Sequence, residues 1–283
     1  MYKFEPILKT LVWGTESWVL SSVPGSESVV SEGPEKGKTL TEIFGGEFPL
    51  LIKFIDARRD LSIQVHPGDE LAQNRHDGHG KDEMWYSIGA SEGAHLYSGL
   101  AAEITPEEYA RRVQDGTIID VLADHAVAPG DVFFIPSGRI HSICGGCFLA
   151  EIQQTSDITY RIYDYNRPGL DGKPRQLHTE LAKDAIDYNV AEDYRTHYER
   201  RENEPVELLK CEHFTTEFLE LTAPLSCPAP GGGRWLTVTC AEGAGTVNGA
   251  ALAAGQALLL TPDETELVLV PTAPVFKLLT SYC

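Results

Sequence analysis

Four side chains in this sequence have the types and spacing of a metal-binding set: Gln64, His66, Glu83 and His141. The first two lie in segment 61–67, which alternates apolar and polar residues, so on a strand Gln64 and His66 share one face. Two imidazoles, one carboxylate and one amide oxygen suit a divalent ion such as zinc. The alternative, polar core residues satisfied by hydrogen bonds, is equally open from spacing alone.

The nature of this set indicates what kind of site it would be. Structural zinc sites are usually closed and rich in cysteine, whereas nitrogen and oxygen ligands leave room for water or a substrate. One carboxylate against a dication leaves net positive charge, which favours an anionic or polyhydroxylated ligand.

The cysteines offer no competing site. Cys144 and Cys147 form the one Cys-x-x-Cys pair, and a structural zinc site would need a second pair. The residues that follow, 148–152, have the pattern of a strand and not of the helix that a redox motif requires. We therefore expect all six cysteines to be reduced thiols, as in a cytoplasmic protein.

Composition bounds the remaining possibilities. The chain has 283 residues and a formal net charge of −19, which argues against nucleic-acid binding because that binding depends on Lys and Arg. An anionic small substrate remains compatible, since a site can be locally cationic. We expect no membrane association, because no run approaches the roughly 18 apolar residues of a membrane span. The N-terminus lacks the pattern of a signal peptide, and the sequence carries no signal of oligomeric state.

The order of predicted elements indicates an all-β protein. Short strands with turns dominate, which is typical of a sandwich or barrel. Thr105 and Pro106 begin a helix expected to run to about Gln114, since they supply an N-cap and a proline at the first helical position. Further short helices are predicted at 39–44 and 178–188, and a polar loop at 74–80.

A faint internal repeat favours two β-barrel halves. In the second copy Gly233 stands where Glu83 does, and nothing like His141 follows Pro262, so only the first half would be active. The predicted domains are a catalytic metal-binding domain and a degenerate cupin-like domain, at residues 1–200 and 201–283. The repeat pairs residues 85–94 with 235–244, and residues 130–136 with 255–262. The first copy carries an insertion at about 100–125. The predicted linker between the halves lies at 191–205.

Several motifs together resemble those of a known family. The spacing from Gly130 through Pro136 and Gly138 to His141 looks like the second cupin motif. Gln-Val-His-Pro at 64–67, Lys-x-Glu-Met-Trp-Tyr at 81–86 and Tyr-Arg-Ile-Tyr-Asp-Tyr at 160–165 resemble type I mannose-6-phosphate isomerases, most closely the short bacterial form. The resemblance covers residues 12 to about 178. It implies an all-β-dominated fold of two cupin-type β-barrels (jelly rolls), the first with a small helical insertion.

The resemblance also implies roles for individual residues. It makes Gln64, His66, Glu83 and His141 the ligands of one Zn²⁺ per chain. Arg161 falls where the family has its active-site arginine, Lys53 and Lys81 where it has lysines that contact the substrate, and Asp157 where long members have an acid proposed for proton transfer. We take Arg161 and Lys81 as expected catalytic residues. The expected substrate-binding residues are Lys53, Asp157 and Ser62, the last because it shares the strand face of Gln64.

Alternative interpretations remain for three of these positions. Lys53 interrupts a buried strand and could extend its amine to the surface. Arg161 could form an ion pair with Asp157 or Asp164. Some long family members have a histidine, a proposed base, at the position of Gly80; here either His79, one residue earlier, replaces it or that base is not needed.

The activity implied is interconversion of mannose 6-phosphate and fructose 6-phosphate. Such an aldose–ketose isomerisation moves a proton through an enediol, so it needs a base and stabilisation of a developing oxyanion. The expected partner is a small phosphosugar. Two alternatives are a cupin metalloenzyme that uses iron or manganese on another substrate, and a non-catalytic sugar-phosphate-binding homologue, which Gly80 would favour.

Overall fold

The computed structural model describes the whole chain, Met1–Cys283, and its contacts divide the chain into two compact units. The first unit comprises Met1–Ile7, Ser17–Phe54 and Thr196–Cys283, and the second comprises Leu8–Glu16 and Ile55–Arg195. The boundary after Arg195 falls inside the predicted linker. Residues 1–7 and 17–54 belong to the same unit as the C-terminal strands. The predicted division at residue 200 instead places them in the N-terminal domain. The assignment of a catalytic and a degenerate domain stays a prediction.

Strands make up most of the secondary structure, and most are short because turns interrupt the chain every few residues. In chain order the strands are β1 Tyr2–Lys3, β2 Ile7–Leu11, β3 Gly14–Leu20, β4 Leu50–Ala57, β5 Ile63–Val65, β6 Glu83–Ala90, β7 His95–Leu100, β8 Leu122–Ala126, β9 Val132–Ile135, β10 His141–Ile143, β11 Cys147–Gln154, β12 Tyr160–Tyr163, β13 Val206–Lys210, β14 Thr215–Leu221, β15 Leu225–Pro228, β16 Leu236–Val247, β17 Ala250–Ala253, β18 Ala257–Leu260 and β19 Glu266–Tyr282.

Helices are few. The predicted helix after Thr105 is confirmed: the Thr105 side chain accepts from the backbone N–H of Glu108, and Gly116 ends the helix in the left-handed conformation. The Thr39 side chain and Glu42 form a capping box at the start of the predicted short helix. The helices are α1 Leu40–Phe44, α2 Asp69–His76, α3 Pro106–Asp115 and α4 Thr179–Ala185, with a 3₁₀ turn at Ile118–Val121.

Helix α2 was not predicted, and its first half lies before the loop expected at 74–80. Of its eight residues only Ala72 is buried. The helix therefore has no apolar stripe, and hydrophobic periodicity, the main sequence signal for a helix, is missing.

The strands form three sheets. The first unit holds an eight-stranded sheet in the order β1-β18-β16-β19-β14-β13, with β15 beside β19 and β17 beside β16. The second unit holds a five-stranded sheet in the order β12-β5-β10-β7-β8. The third sheet has the order β2-β3-β4-β11-β6-β9, and β6 pairs antiparallel with both β11 and β9 in the second unit.

The all-β-dominated prediction is confirmed, and the strands form three antiparallel sheets. The finer prediction of two cupin barrels stays a prediction. Each unit has its own apolar core: Leu221, Val238 and Phe276 are fully buried in the first, and Ile63, Leu96 and Phe133 in the second. No helix in the structure is both long and apolar enough to cross a membrane.

Candidate active site

Strand register places three of the predicted site residues in one row of the five-stranded sheet. Gln64 of β5 lies opposite His141 of β10 on one side and opposite Arg161 of β12 on the other. On its far side His141 lies opposite Ser98 of β7. Residues directly opposite one another point to the same face with Cβ atoms about 5 Å apart. The row therefore presents an amide, an imidazole, a guanidinium and a hydroxyl to one side of the sheet.

A compact cluster lies at this face. The ligand-type atoms of His66, Glu83 and His141 all lie within 4.8 Å of one another. The distance from Glu83 Oε1 to His66 Nε2 is 3.3 Å, and from Oε2 to His141 Nε2 it is 3.7 Å. All three side chains are only 1% exposed. The sequence prediction that separate strands bring these residues together is confirmed.

Hydrogen bonds on the outer side of each imidazole orient it. His66 Nδ1 lies 2.8 Å from the carbonyl oxygen of Ile158, and His141 Nδ1 lies 2.8 Å from that of Arg139. A carbonyl can only accept, so each Nδ1 carries a proton, and each Nε2 is directed towards Glu83. Outer hydrogen bonds of this kind fix the tautomer of metal-binding histidines.

Burial keeps His141 neutral. Desolvation is the largest influence and lowers its pKa from 6.5 to about 3, with the cations Lys81 and Arg139 acting in the same direction. The hydrogen bond to the Arg139 carbonyl and the charge of Glu151 act in the opposite direction. A neutral imidazole at physiological pH is the form that binds a metal ion.

Lys81 brings a cation to the same cluster. Its ammonium group pairs with Glu83 Oε1 and lies 3.4 Å from His66 Nε2. It also lies 3.6 Å from Oε1 of Glu151, whose Oε2 accepts a 3.0 Å hydrogen bond from the indole N–H of Trp85. Lys81 therefore lies between two buried carboxyl groups, those of Glu83 and Glu151.

The backbone around Lys81 is held by a hydrogen-bonded network. The Lys81 N–H lies 3.3 Å from the hydroxyl of Ser137, which itself donates to Asp82 Oδ1 at 2.8 Å. The N–H of Gly80 donates to Asp69 Oδ1 at 2.6 Å, and the N–H of Asp82 donates to Gln154 Oε1 at 2.8 Å. These contacts fix the approach of Lys81 to the cluster.

These residues fit a divalent cation. Oε2 of the buried Glu83 carboxylate has no hydrogen-bond partner, Oε1 pairs with the Lys81 ammonium, and the Nε2 atoms of both histidines face the carboxylate. Electron-pair donors that converge in a water-poor interior repel one another unless a positive charge lies among them.

Gln64 and Ser62 extend the set on the same strand face. The amide nitrogen of Gln64 lies 3.2 Å from His141 Nε2, and its oxygen lies 3.4 Å from the hydroxyl of Ser62, which is 2% exposed. The nitrogen and oxygen of a glutamine amide can exchange places by a simple flip. The flipped amide would present its oxygen beside His141, as a fourth metal ligand requires.

Two other predicted residues have different surroundings. Lys53, in the first unit, is 7% exposed and its ammonium lies 5.6 Å from the ring centroid of Trp18, so the alternative that it reaches the surface is wrong. Asp157 has an exposed side chain and is not part of the metal-binding cluster. Its role as a substrate contact stays a prediction.

The departure at Gly80 has a steric explanation. A Cβ atom at this position would lie 2.6 Å from the backbone nitrogen of Asp69, closer than any side chain can approach without moving helix α2. His79 is exposed on the surface of the loop. Because Gly80 is required by the packing of α2, its presence is no sign of a lost catalytic function.

Arg161 is not paired with either acid that the sequence suggested. The Asp164 carboxylate instead binds Arg167 and Arg175, and Arg161 donates from Nη1 to the carbonyl of Gln176 at 2.9 Å. Its backbone N–H lies 3.1 Å from Nδ1 of His178. Arg161 therefore remains available to an anion.

Sequence reasoning missed Glu151. A signal was present, because a single acid interrupts the apolar strand β11, as Lys53 interrupts β4. An acid in a buried strand is rare without a partner. The partners, Trp85 and Lys81, become visible only when β11 and β6 pair, since Glu151 lies directly opposite Trp85.

Comparison with known proteins places the chain in a family. Residues 15–93 match the family model "phosphomannose isomerase type I, catalytic domain". The mannose-6-phosphate isomerase ManA of Bacillus subtilis (strain 168) is 35% identical over 242 residues, which are 75% of this chain and 76% of that protein. The chain belongs to the mannose-6-phosphate isomerase family. The predicted resemblance is confirmed, and with it the prediction that the chain is an isomerase enzyme.

Solved structures agree with this assignment. The crystal structure of the mannose 6-phosphate isomerase from Bacillus subtilis has a TM-score of 0.91 and 28% identity, covering 100% of this chain and 99% of that chain. A zinc-bound mannose 6-phosphate isomerase has the same fold, with a TM-score of 0.73 and 14% identity, covering 99% and 98%. The fold similarity thus extends over the C-terminal strands, beyond the span of the matching motifs.

Proposed function

We propose that the protein interconverts mannose 6-phosphate and fructose 6-phosphate at the cluster around Glu83, with one zinc ion per chain. The observation that supports this most is the convergence of His66, Glu83 and His141 on one point, with both Nε2 atoms directed inward. Membership of the isomerase family supplies the reaction. The same proposal places the site in a cupin-type barrel that residues 1–200 would form, with a degenerate second one in 201–283.

Gln64, His66, Glu83 and His141 would hold the metal. Bound there, zinc would supply Lewis acidity to polarise the sugar carbonyl. Zinc is preferred to a harder ion because two imidazoles are among the ligands. The zinc-bound relative of the same fold adds support.

Lys81 and Arg161 would act on the substrate directly. Moving the proton between C2 and C1 leaves negative charge on the sugar oxygens in the enediol-like transition state. The Lys81 ammonium, fixed by Glu83 and Glu151, places a positive charge in a buried site where such charge is most effective. Arg161 lies one strand away from Gln64 and adds a second cation at the same face.

The remaining predicted residues would bind the sugar. The Ser62 hydroxyl lies 3.4 Å from the amide oxygen of Gln64 and would bind a sugar hydroxyl. Lys53 and Asp157 are proposed substrate contacts on the resemblance of their sequence positions.

A coupled isomerase assay with mannose 6-phosphate, before and after complete chelation, tests the proposal. We expect the activity to disappear with the metal and to return on addition of zinc. Activity that survives full metal removal would show that the metal-dependent assignment is wrong. Elemental analysis of the purified protein distinguishes zinc from iron or manganese.

Two variants separate metal binding from substrate chemistry. His141→Ala should lose the metal together with activity. Arg161→Ala should retain the metal but lose most of its turnover, whereas Arg112→Ala, which removes a surface arginine paired with Glu108 on helix α3, should behave as wild type. Near-normal turnover of Arg161→Ala would refute the role given to Arg161.

A further inference from the structure

Three arginines gather around one acid at the end of strand β12. Asp164, 5% exposed, accepts from Arg167 Nε at 3.0 Å and from Arg175 Nε and Nη2 at 2.7 and 2.6 Å. Arg161 lies on the same strand, three residues before Asp164, and has no carboxylate partner. We call these four residues the arginine cluster. It carries three positive charges and one negative charge.

The charges in this cluster are unbalanced. Burial is the largest influence that lowers the pKa of Arg161, and the nearby Arg175 and Arg167 lower it further, with Asp164 opposing them. For Asp164 burial alone would raise the pKa, but the hydrogen bonds and charges of Arg175 and Arg167 lower it overall. An excess of two positive charges in a chain of net charge −19 is a local feature that the composition hides.

One guanidinium donor in the cluster is buried without an acceptor. Arg161 Nε has no hydrogen-bond partner, whereas Arg167 Nη2 lies 2.8 Å from Asp164 Oδ1 as an ion pair. Native structures leave few buried donors unsatisfied, and each exception needs an explanation. A ligand that accepts several hydrogen bonds would satisfy this donor and the excess charge.

The backbone that presents these arginines is in an uncommon conformation. Tyr165 and Asn166 are consecutive non-glycine residues with φ of 55° and 52°. Two residues in the left-handed region cost energy that the surrounding contacts must offset. The turn brings Arg167 back towards Asp164, and a bridge between Pro168 and Pro174 returns the chain to Arg175.

The cluster lies beside the candidate metal site. Arg161 is directly opposite Gln64 in the sheet, and Gln64 is in turn opposite His141. A substrate with its carbonyl end at His141 and Glu83 would therefore extend its other end along the row towards Arg161. Arginine forks match the geometry of a phosphate group, with two parallel hydrogen bonds from each guanidinium.

We propose that Arg167 and Arg175 form the binding site for the phosphomonoester end of the substrate, with Arg161 between this site and the candidate metal site. This inference rests on the proposed isomerase function for the identity of the ligand. The recognised chemistry is a tetrahedral dianion, which free inorganic phosphate shares with a sugar phosphate. Asp164 is a positioning residue that holds two of the three arginines in place.

Steady-state kinetics with mannose 6-phosphate test the inference on Arg175→Gln and Arg167→Gln. Loss of a charge-assisted pair of hydrogen bonds should raise KM about tenfold or more for each variant, with a smaller change in kcat. Arg175→Lys should recover part of the loss, because it keeps the charge but not the fork. Arg112→Gln is the matched control and should keep the wild-type KM.

Inorganic phosphate provides a readout that does not depend on turnover. Phosphate should raise the melting temperature of the metal-loaded wild type and of Arg112→Gln, and this shift should be lost in Arg175→Gln. Phosphate bound at the metal instead would stabilise Arg175→Gln as much as wild type, which would overturn the inference. If Arg175→Gln does not fold, Arg175→Lys with an unchanged KM and an unchanged phosphate shift would overturn it equally.

The two measurements separate this inference from the proposed function. A wild type that does not isomerise mannose 6-phosphate, but whose phosphate-induced stabilisation disappears in Arg175→Gln, would refute the isomerase proposal and support the phosphate-binding site. Active enzyme with unchanged KM in both glutamine variants would refute the phosphate-binding site and leave the isomerase proposal standing.

Discussion

Two tryptophans in corresponding positions of the sequence repeat have different surroundings. Trp85, on β6 of the second unit, donates its indole N–H to Glu151 and lies with its ring centroid 5.3 Å from that of His141. Trp235, next to β16 in the first unit, packs instead against Phe44, with ring centroids 5.7 Å apart. One tryptophan orients ionisable side chains and the other fills an apolar contact.

The same contrast holds for the buried polar residues as a whole. Among residues 196–283 the buried polar side chains are all threonines and serines, such as Thr216 and Ser281, which share a 2.9 Å hydrogen bond. The second unit buries charged groups, among them Lys81, Glu83 and Glu151. A hydroxyl is satisfied by one neighbour, but a buried charge needs a counter-charge. On the proposed function, the C-terminal strands would form a scaffold and the second unit would hold the reacting groups.

The largest loss of metal affinity and activity should follow from removing a buried polar group in the second unit, and a matched removal in the first unit should have little effect. Glu83→Gln removes the partner of Lys81, and losing one member of a buried ion pair costs about 3–5 kcal/mol. We expect metal affinity and isomerase activity to fall at least about a hundredfold. Thr239→Val, which removes a buried β16 hydroxyl without a hydrogen-bond partner, should leave both near wild type. Equal losses in the two variants would contradict the division of roles.

Truncating one buried aromatic side chain in each core should lower stability in both units but reduce kcat only in the second. Phe276→Ala in the first unit and Phe133→Ala in the second should each lower the free energy of unfolding by about 3–5 kcal/mol. Phe133 lies opposite Trp85, which orients Glu151. At a temperature where both variants are folded, Phe133→Ala alone should have reduced kcat. Chemical denaturation and kinetics on the same samples decide this, and equal kcat values would contradict the expectation.

Neutralising Glu151, a carboxylate outside the predicted ligands, should lower metal affinity by a smaller factor. Glu151→Gln can still accept from Trp85 but removes a negative charge 3.6 Å from the Lys81 ammonium. We expect metal affinity to fall about 10–100-fold, the usual effect of altering a group behind the ligands. Competition with a chelator measures it. Glu220→Gln, which removes a carboxylate paired with Arg200 in the first unit, should bind metal as wild type does.

Acid should destabilise the metal-free protein through His141. Its pKa is about 3 when folded and 6.5 when unfolded, so between these values the unfolded state binds one more proton. The free energy of unfolding should therefore fall as pH decreases from 6.5 towards 3, by up to about 1.4 kcal/mol per pH unit, and should not depend on this group above pH 6.5. His141→Gln should remove this share of the slope. An identical pH profile in both proteins would show that His141 is not buried as a neutral imidazole.

The class of fold and most residues of the candidate site can be predicted from the sequence alone. The caps at Thr105 and Gly116 bound helix α3 because these signals are local to the chain. Alternation in 61–67 predicted a shared face for Gln64 and His66, since side-chain direction follows from a period of two. Helix α2 escaped prediction because its stability does not depend on an apolar stripe.

The contacts between charged side chains depend on the tertiary structure. Glu151 lies next to Trp85 only because β11 pairs with β6. Asp164 binds Arg167 and Arg175, so Arg161 has no carboxylate partner. Strand pairing across a distance in the sequence is set by packing and register, for which neighbouring residues carry no signal. Residue type and spacing in the sequence identify the proposed metal-binding residues, but the partners that orient their side chains are properties of the folded chain.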